Sequence, residues 1–344
     1  MTPAGIGGAG PAGPAMASPT ALVTHPACNR HDTGRNHPEG QDRLPAMLEA
    51  VRADAELGTA LVERLARPAT EEDLLRVHTP DHVARVREAA EEARRRGGRV
   101  SLDADTAVSP ASWEAALAAA GCAITAAEVT VQGPTATAFA LARPPGHHAS
   151  ASRAMGFCLF NNVAVAIRRM QAEKLADQVL VVDWDVHHGN GTQEIFYEDP
   201  SVYVLSLHLS PHYPGTGASI ERGAGAGRGT TLNVPLRRGT DAVEYRRSYL
   251  EALESALAAF APDLVVVSAG FDCLAGDPLG GFLLEPQDLH RLTADLLERI
   301  RARTTRVAAS LEGGYVPERI GSGLVNVLRA FAGLPPREEE KGAA

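Results

Sequence analysis

Short β-branched apolar runs recur along the chain between longer amphipathic stretches, and this alternation limits the fold more than any other feature. Val179–Val182, Val202–Leu207, Leu232–Val234, Leu264–Val267 and Val307–Leu311 read as strands, and Thr137–Ala142 as another. Ser112–Val131, Asn162–Ala176, Ala242–Ala259, Pro286–Arg301 and Pro317–Phe331 carry apolar residues at helical spacing. A strand that is apolar throughout must be covered on both faces, and helices between parallel strands supply that cover. The pattern predicts an α/β fold with a mostly parallel sheet, without internal repeats, as one domain over residues 18–334.

A chain of 344 residues is long enough to bury a sizeable core. Residues 1–17 are mostly Gly, Ala and Pro with no basic residue and no apolar run, so they are expected to be disordered rather than a signal peptide or a membrane span. Met16 offers a second candidate start, and residues 335–344, with their Arg-Glu-Glu-Glu-Lys run, are expected to be a solvated tail. The net charge of −9 is spread along the chain. It argues against nucleic acid or an anionic membrane as partner and mildly favours a cationic substrate. Cys28, Cys122, Cys158 and Cys273 are far apart without CxxC spacing, which fits a reducing, cytoplasmic setting with each thiol a small buried hydrophobe.

The unusual residues fall just past strand ends, where parallel sheets gather function. The segments Ser206 to Gly229 and Gly270 to Leu284 are long and rich in Gly and Pro. Val179–Val182 runs into Asp183-Trp184-Asp185-Val186-His187-His188-Gly189-Asn190-Gly191. In an extended continuation Asp183, Asp185 and His187 share a face, and two carboxylates with an imidazole suggest a metal site. Leu264–Val267 leads to Asp272, which can complete a set of two carboxylates and one imidazole. Three protein ligands leave a position open, as in catalytic zinc, and the same oxygen-rich set would accept ferrous iron. Arg143-Pro144-Pro145-Gly146-His147-His148-Ala149 presents tandem histidines behind a rigid turn, suited to acid–base work. Val307–Leu311 ends in Glu312-Gly313-Gly314-Tyr315, a weaker signal that two glycines present a phenol to the site.

Together with His25–Leu44, Gly156-Phe157-Cys158-Leu159-Phe160-Asn161-Asn162, Tyr213-Pro214-Gly215-Thr216-Gly217 and Gly276-Asp277-Pro278-Leu279-Gly280-Gly281, these motifs resemble the zinc-dependent histone deacetylase family. The similarity is greatest to its bacterial, class II-like amidohydrolases. The resemblance implies an arginase/deacetylase-like three-layer fold with about eight strands and a narrow tunnel. One zinc ion at the tunnel base would be held by Asp185, His187 and Asp272. His147 would pair with Asp183, and His148 with Asn190, where class I relatives have Asp. His148 would be general base and then acid, His147 mainly electrostatic, and Tyr315 the donor to the developing oxyanion. Gly156, Phe157, Tyr213 and Leu279 match substrate-binding positions, with Phe157 and Tyr213 flanking the substrate's methylene chain. Structural potassium is implied on backbone carbonyls of Asp183, Asp185, His187 and Leu207 with the Ser206 hydroxyl, and a second ion near Phe196, Asp199 and Val202.

The implied reaction is deacylation of acyl-lysine in a peptide or protein, or of another acylated amine such as an acetylpolyamine. Two rivals are a binuclear manganese ureohydrolase, which would need a further Asp where Gly270 stands, and a non-catalytic acyl-ligand sensor. The physiological substrate, the acyl length and the formation of a homo-oligomer are left open by the residues.

Overall fold

Stiff β-branched side chains suit pleated backbone, and Val181, Val182, Val265 and Val267 all lose their whole surface to the interior. In the computed structural model, which describes residues 19–338, the strands are β1 (Thr20–Thr24), β2 (Leu61–Leu65), β3 (Val100–Ser101), β4 (Ala107–Val108), β5 (Thr137–Ala140), β6 (Val179–Asp183), β7 (Val202–Leu209), β8 (Thr231–Leu236), β9 (Leu264–Ala269) and β10 (Val307–Leu311). Eight of them form one sheet in the order β2-β1-β5-β10-β9-β6-β7-β8, every pair parallel, and β3 and β4 make a separate antiparallel ribbon. The strands β5, β6, β7, β9 and β10 have no exposed residue, which requires cover on both faces.

The cover comes from α1 (Arg43–Arg52), α2 (Ala55–Ala60), α3 (Glu71–Leu75), α4 (Pro80–Arg96), α5 (Ser112–Gln132), α6 (Asn162–Ala172), α7 (Asn190–Phe196), α8 (Ala242–Ala259), α9 (Pro286–Ile300) and α10 (Pro317–Phe331). Helix α5, with α4 and α6 beside it, crosses β1, β5 and β10, while α8, α9, α10 and α1 form a continuous row. Helix α5 is long and apolar enough to cross a bilayer, but it lies against the sheet with most of its length buried. Its small residues also let the segment after β2 come close: a Cβ on Gly121 would fall 2.0 Å from the Arg67 carbonyl oxygen. One apolar core runs from Ala21 to Ala332.

The expected disordered segment, 1–17, and residues 339–344 of the expected tail lie outside the described residues. Residues 335–338 are exposed yet tied to α10, with Arg329 Nε donating to the Pro335 carbonyl at 2.6 Å and the Arg337 amide to Asn326 Oδ1 at 3.0 Å. Helix α6 stops four residues before the expected Ala176. Lys174 takes a left-handed φ of 58°, and the Leu175 amide reaches back to the Met170 carbonyl, a C-terminal lock in which Gly is usual. Strand β5 likewise ends at Ala140 instead of Ala142, and β7 continues to Leu209, shortening the loop expected from Ser206.

Candidate metal centre and active site

Strands β6 and β9 are neighbours in register, with Asp183 opposite Ser268, so the segments leaving their carboxyl ends emerge side by side. Asp185, His187 and Asp272 converge there, all buried, with one donor atom from each within 4.8 Å of the others. His187 Nδ1 lies 3.0 Å from Asp185 Oδ1 and 3.2 Å from Asp272 Oδ2. Ligands about 2.0 Å from a tetrahedral ion stand roughly 3.3 Å apart, so these spacings match the edges of a coordination shell. Asp272 Oδ2 has no partner in its buried position, among the described residues, beyond this contact with His187. The remaining carboxylate oxygens are held by amides: Val186 donates to Asp272 Oδ1 at 2.9 Å, His187 to Asp185 Oδ1 at 2.9 Å and Gly313 to Asp185 Oδ2 at 2.8 Å. The residues fit a metal ion, with a supporting shell that fixes each ligand.

Asp183 shares the strand end but not this cluster. Its Oδ2 meets His147 Nδ1 at 3.0 Å, and its Oδ1 accepts the Asp185 amide. His148 Nδ1 faces Asn190 Oδ1 at 2.8 Å, and the two histidine rings are 4.0 Å apart. Their surroundings act in opposite directions. Burial would lower the pKa of His147, but the carboxylates of Asp185 and Asp183 overcome it and hold the value well above normal. Burial and the neighbouring His147 and His187 hold His148 well below normal. Without a metal, burial opposes protonation of His187, yet its bonds to Asp185 and Asp272 raise it to about 10. Burial and then the Asp185 charge raise Asp272 to about 7.

One side of the site is shaped by a two-residue hairpin. Met155 and Cys158 exchange backbone bonds of 3.2 and 2.9 Å, and Gly156 and Phe157 between them have φ of 56° and 68°. Positive φ at both central positions is the geometry of a type I′ turn, which favours Asn-Gly and strains Phe. Phe157 is thereby set at the tip, edge-on to Tyr315 at 6.0 Å. Tyr213 stands edge-on to His148 at 5.1 Å and to His187 at 6.1 Å. A Cβ on Gly156 would fall 2.4 Å from the His148 ring. The Tyr315 phenol has no protein hydrogen-bond partner among the described residues, and burial with the nearby Asp272 and Asp185 charges drives its pKa well up. Leu279 is half-buried, its carbonyl bonded to His212 Nε2 at 2.9 Å.

A histone deacetylase domain model matches residues 37–331. The chain belongs to the histone deacetylase family. It is 39% identical over 280 residues to a histone deacetylase-like amidohydrolase of Pseudomonas aeruginosa, covering 81% of this chain and 71% of that protein. It is 36% identical over 324 residues to the chloroplastic histone deacetylase 10 of Oryza sativa subsp. japonica, covering 90% and 73%. The crystal structure of the HDA15 HD domain superposes with a TM-score of 0.86 at 36% identity, covering 94% of this chain and 90% of that one. The arginase/deacetylase-like fold expected from the motifs is therefore present, and the chain is a deacetylase-family hydrolase.

In this deacetylase-family site several residues carry the geometry without having stood out in the sequence. Arg43 and Arg143 are fully buried around Glu39. Arg43 donates from Nε to the Gly314 carbonyl and from Nη2 to the Glu312 carbonyl, both at 2.6 Å, and lies 5.3 Å from the Tyr315 ring. Glu312 Oε2 accepts the amides of Gly146 and His147, and Asp277 Oδ2 accepts the Tyr315 amide at 2.7 Å. His212 stacks on His187 at 5.0 Å. Glu39, Arg43, Arg143, Asp277 and Glu312 all sit inside the recognised motifs, but nothing in one sequence says that a charge is buried. At the positions considered for potassium, Ser206 pairs with Asp183 across β6 and β7, and its hydroxyl meets His208 Nδ1 at 2.9 Å. Asp199, by contrast, has its carboxylate engaged by Arg168 and Ser201.

Proposed function

We propose that the chain is a zinc-dependent amidohydrolase that deacylates N-acyl-lysine side chains, with one zinc ion on Asp185, His187 and Asp272. The observation that carries this reading is the buried donor triangle of Asp185, His187 and Asp272, whose Oδ2 meets no protein group but His187 among the described residues, facing histidines of opposite protonation tendency. When bound, the ion supplies a positive charge that polarises the acyl carbonyl and makes water more acidic. His148 donates its Nδ1 proton to Asn190, which leaves Nε2 free to take a proton from water and return it to the departing amine. His147 stays cationic against Asp183 and steadies negative charge as it develops. Tyr315 donates its unpartnered hydroxyl to the oxyanion. Phe157 and Tyr213 offer apolar walls for a methylene chain, and Gly156 leaves room for it.

A binuclear manganese ureohydrolase is disfavoured because a Cβ at Gly270 would fall 2.2 Å from Asp185 Oδ2, leaving no space for another ligand side chain. A free phenol over the cluster supports turnover over mere acyl sensing. Potassium on the carbonyls of Asp183, Asp185, His187 and Leu207 with Ser206, and a cytoplasmic location, belong to the same reading.

Leu279 bears on substrate class. An apolar side chain at the rim offers a distant ammonium no partner, whereas a carboxylate there would contribute on the order of 1 kcal/mol. The zinc-loaded enzyme is expected to favour an acetyl-lysine peptide over N8-acetylspermidine in kcat/KM, and Leu279→Glu to shift several-fold toward the polyamine. A wild type that already prefers the polyamine overturns the acyl-lysine assignment, and no turnover of either overturns the deacylase.

A further inference from the structure

We propose that Met155 is a positioning residue that fixes the tautomer of His148 through the side chain of Asn190. The inference rests on the reading of His148 as the general base. Asn190 presents Oδ1 to His148 Nδ1 at 2.8 Å and donates from Nδ2 to Met155 Sδ at 3.4 Å. Arg153 Nη2 donates to the same sulfur at 2.8 Å. The sulfur thus faces two N–H donors, and the Met155 side chain is 8% exposed.

An Asn amide is nearly symmetric in shape, so only its neighbours decide which end faces which way. The observed end puts a carbonyl on Nδ1, which requires the ring proton there and leaves the Nε2 lone pair available. The flipped amide would put its NH2 group on Nδ1, move the ring proton to Nε2 and remove the base. A thioether has lone pairs and no proton to give, so it accepts from NH2 but repels a carbonyl oxygen. Met155 therefore penalises the flipped amide. The hairpin that sets Phe157 at its tip also anchors Met155, because both backbone bonds of that turn are made by Met155 and Cys158. A carboxylate at position 190 would have two equivalent oxygens and no end to choose, so the sulfur matters only because residue 190 is an amide.

The test is a double-mutant cycle on zinc-loaded protein with an acetyl-lysine peptide, joined to long-range 1H–15N spectra that assign each imidazole tautomer. Met155→Leu keeps the volume and removes the acceptor. It should lower kcat by about 3- to 10-fold, the effect of one weak hydrogen bond, with KM within about 2-fold. In an Asn190→Asp background the same change should alter kcat by less than about 2-fold. The spectra should show His148 as the Nδ1–H form in the wild type and mixed with the Nε2–H form in Met155→Leu. If the leucine variant does not fold, replacing methionine by norleucine, which exchanges sulfur for CH2, carries the same measurements. Equal kcat losses in both backgrounds, a loss confined to KM, or an unchanged tautomer would overturn the proposal. A wild type inactive on the peptide would sink the deacylase reading alone, since the spectra judge Met155 without turnover.

Discussion

His147 and His148 are adjacent, yet two carboxylates push the pKa of one well up against its burial, while burial and the neighbouring histidines push the other well down. Such divergence is how two like groups take different tasks at one pH. In the proposed mechanism Tyr315 shares this division of labour, its hydroxyl acting as charge develops. Tyr315→Phe should lower kcat by about 100-fold or more while a hydroxamate inhibitor loses far less affinity. Comparable losses in both would make the residue a packing group. The proposed ligands carry a pH signature. Metal binding needs His187 and Asp272 deprotonated, and without metal their pKa values are raised to about 10 and about 7. Protons are therefore released on binding, and zinc affinity should rise with pH, more steeply below about 7, where both must leave, than above it. Calorimetry of zinc uptake by metal-free protein across pH checks the slope; a flat profile contradicts the ligand set, as would an Asp272→Ala protein that keeps one zinc. The strand-end run from Asp183 to His187 made these residues legible in the sequence. Arg43 and Glu39 were not, since a buried ion pair looks like surface charge until the fold supplies its partners.

The hairpin of Met155 to Cys158 shows how an element is specified by what it cannot contain. Gly156 has both a left-handed backbone and a ring 2.4 Å from where a side chain would begin. Gly156→Ala should displace His148 and cut turnover more than 10-fold, while backbone strain lowers stability by about 1 kcal/mol and zinc stays bound. Thermal melts, metal analysis and kinetics on one preparation read all three, and full activity would mean that the turn does not hold the His148 ring. Elements of this kind were partly readable. Helices α8 and α10 have the bounds that their periodicity gave, because Asp241 caps the first and Pro317 opens the second. The stop of α6 was hidden, since Lys174 takes a conformation that its side chain does not advertise. Strand β2 escaped notice for another reason: it is an edge strand with exposed Glu63, Arg64 and Leu65, without the continuous apolar run that marks its buried neighbours.

At the scale of the molecule, alternation of strand and helix revealed the parallel sheet but not the strand order, because each strand's apolar run would suit any interior position. That order places β10, the last of the described strands, between β5 and β9. Without it β5 and β9 each present an unpaired edge made of residues that are buried in the complete sheet. A protein truncated after Arg306 should therefore be insoluble rather than a folded, inactive remnant, as fractionation after expression would show; a soluble, cooperatively melting truncation would contradict this role for β10. The same arrangement has a consequence in time. During synthesis β1, β2 and β5 leave the ribosome in one group and β6 to β9 in another, and the two half-sheets have no shared strand until residues 307–311 emerge. Tyr315 and the carbonyls that Arg43 grips arrive with that final strand. The two half-sheets thus stay separate until β10 emerges, and the proposed site is completed in one step when they are joined.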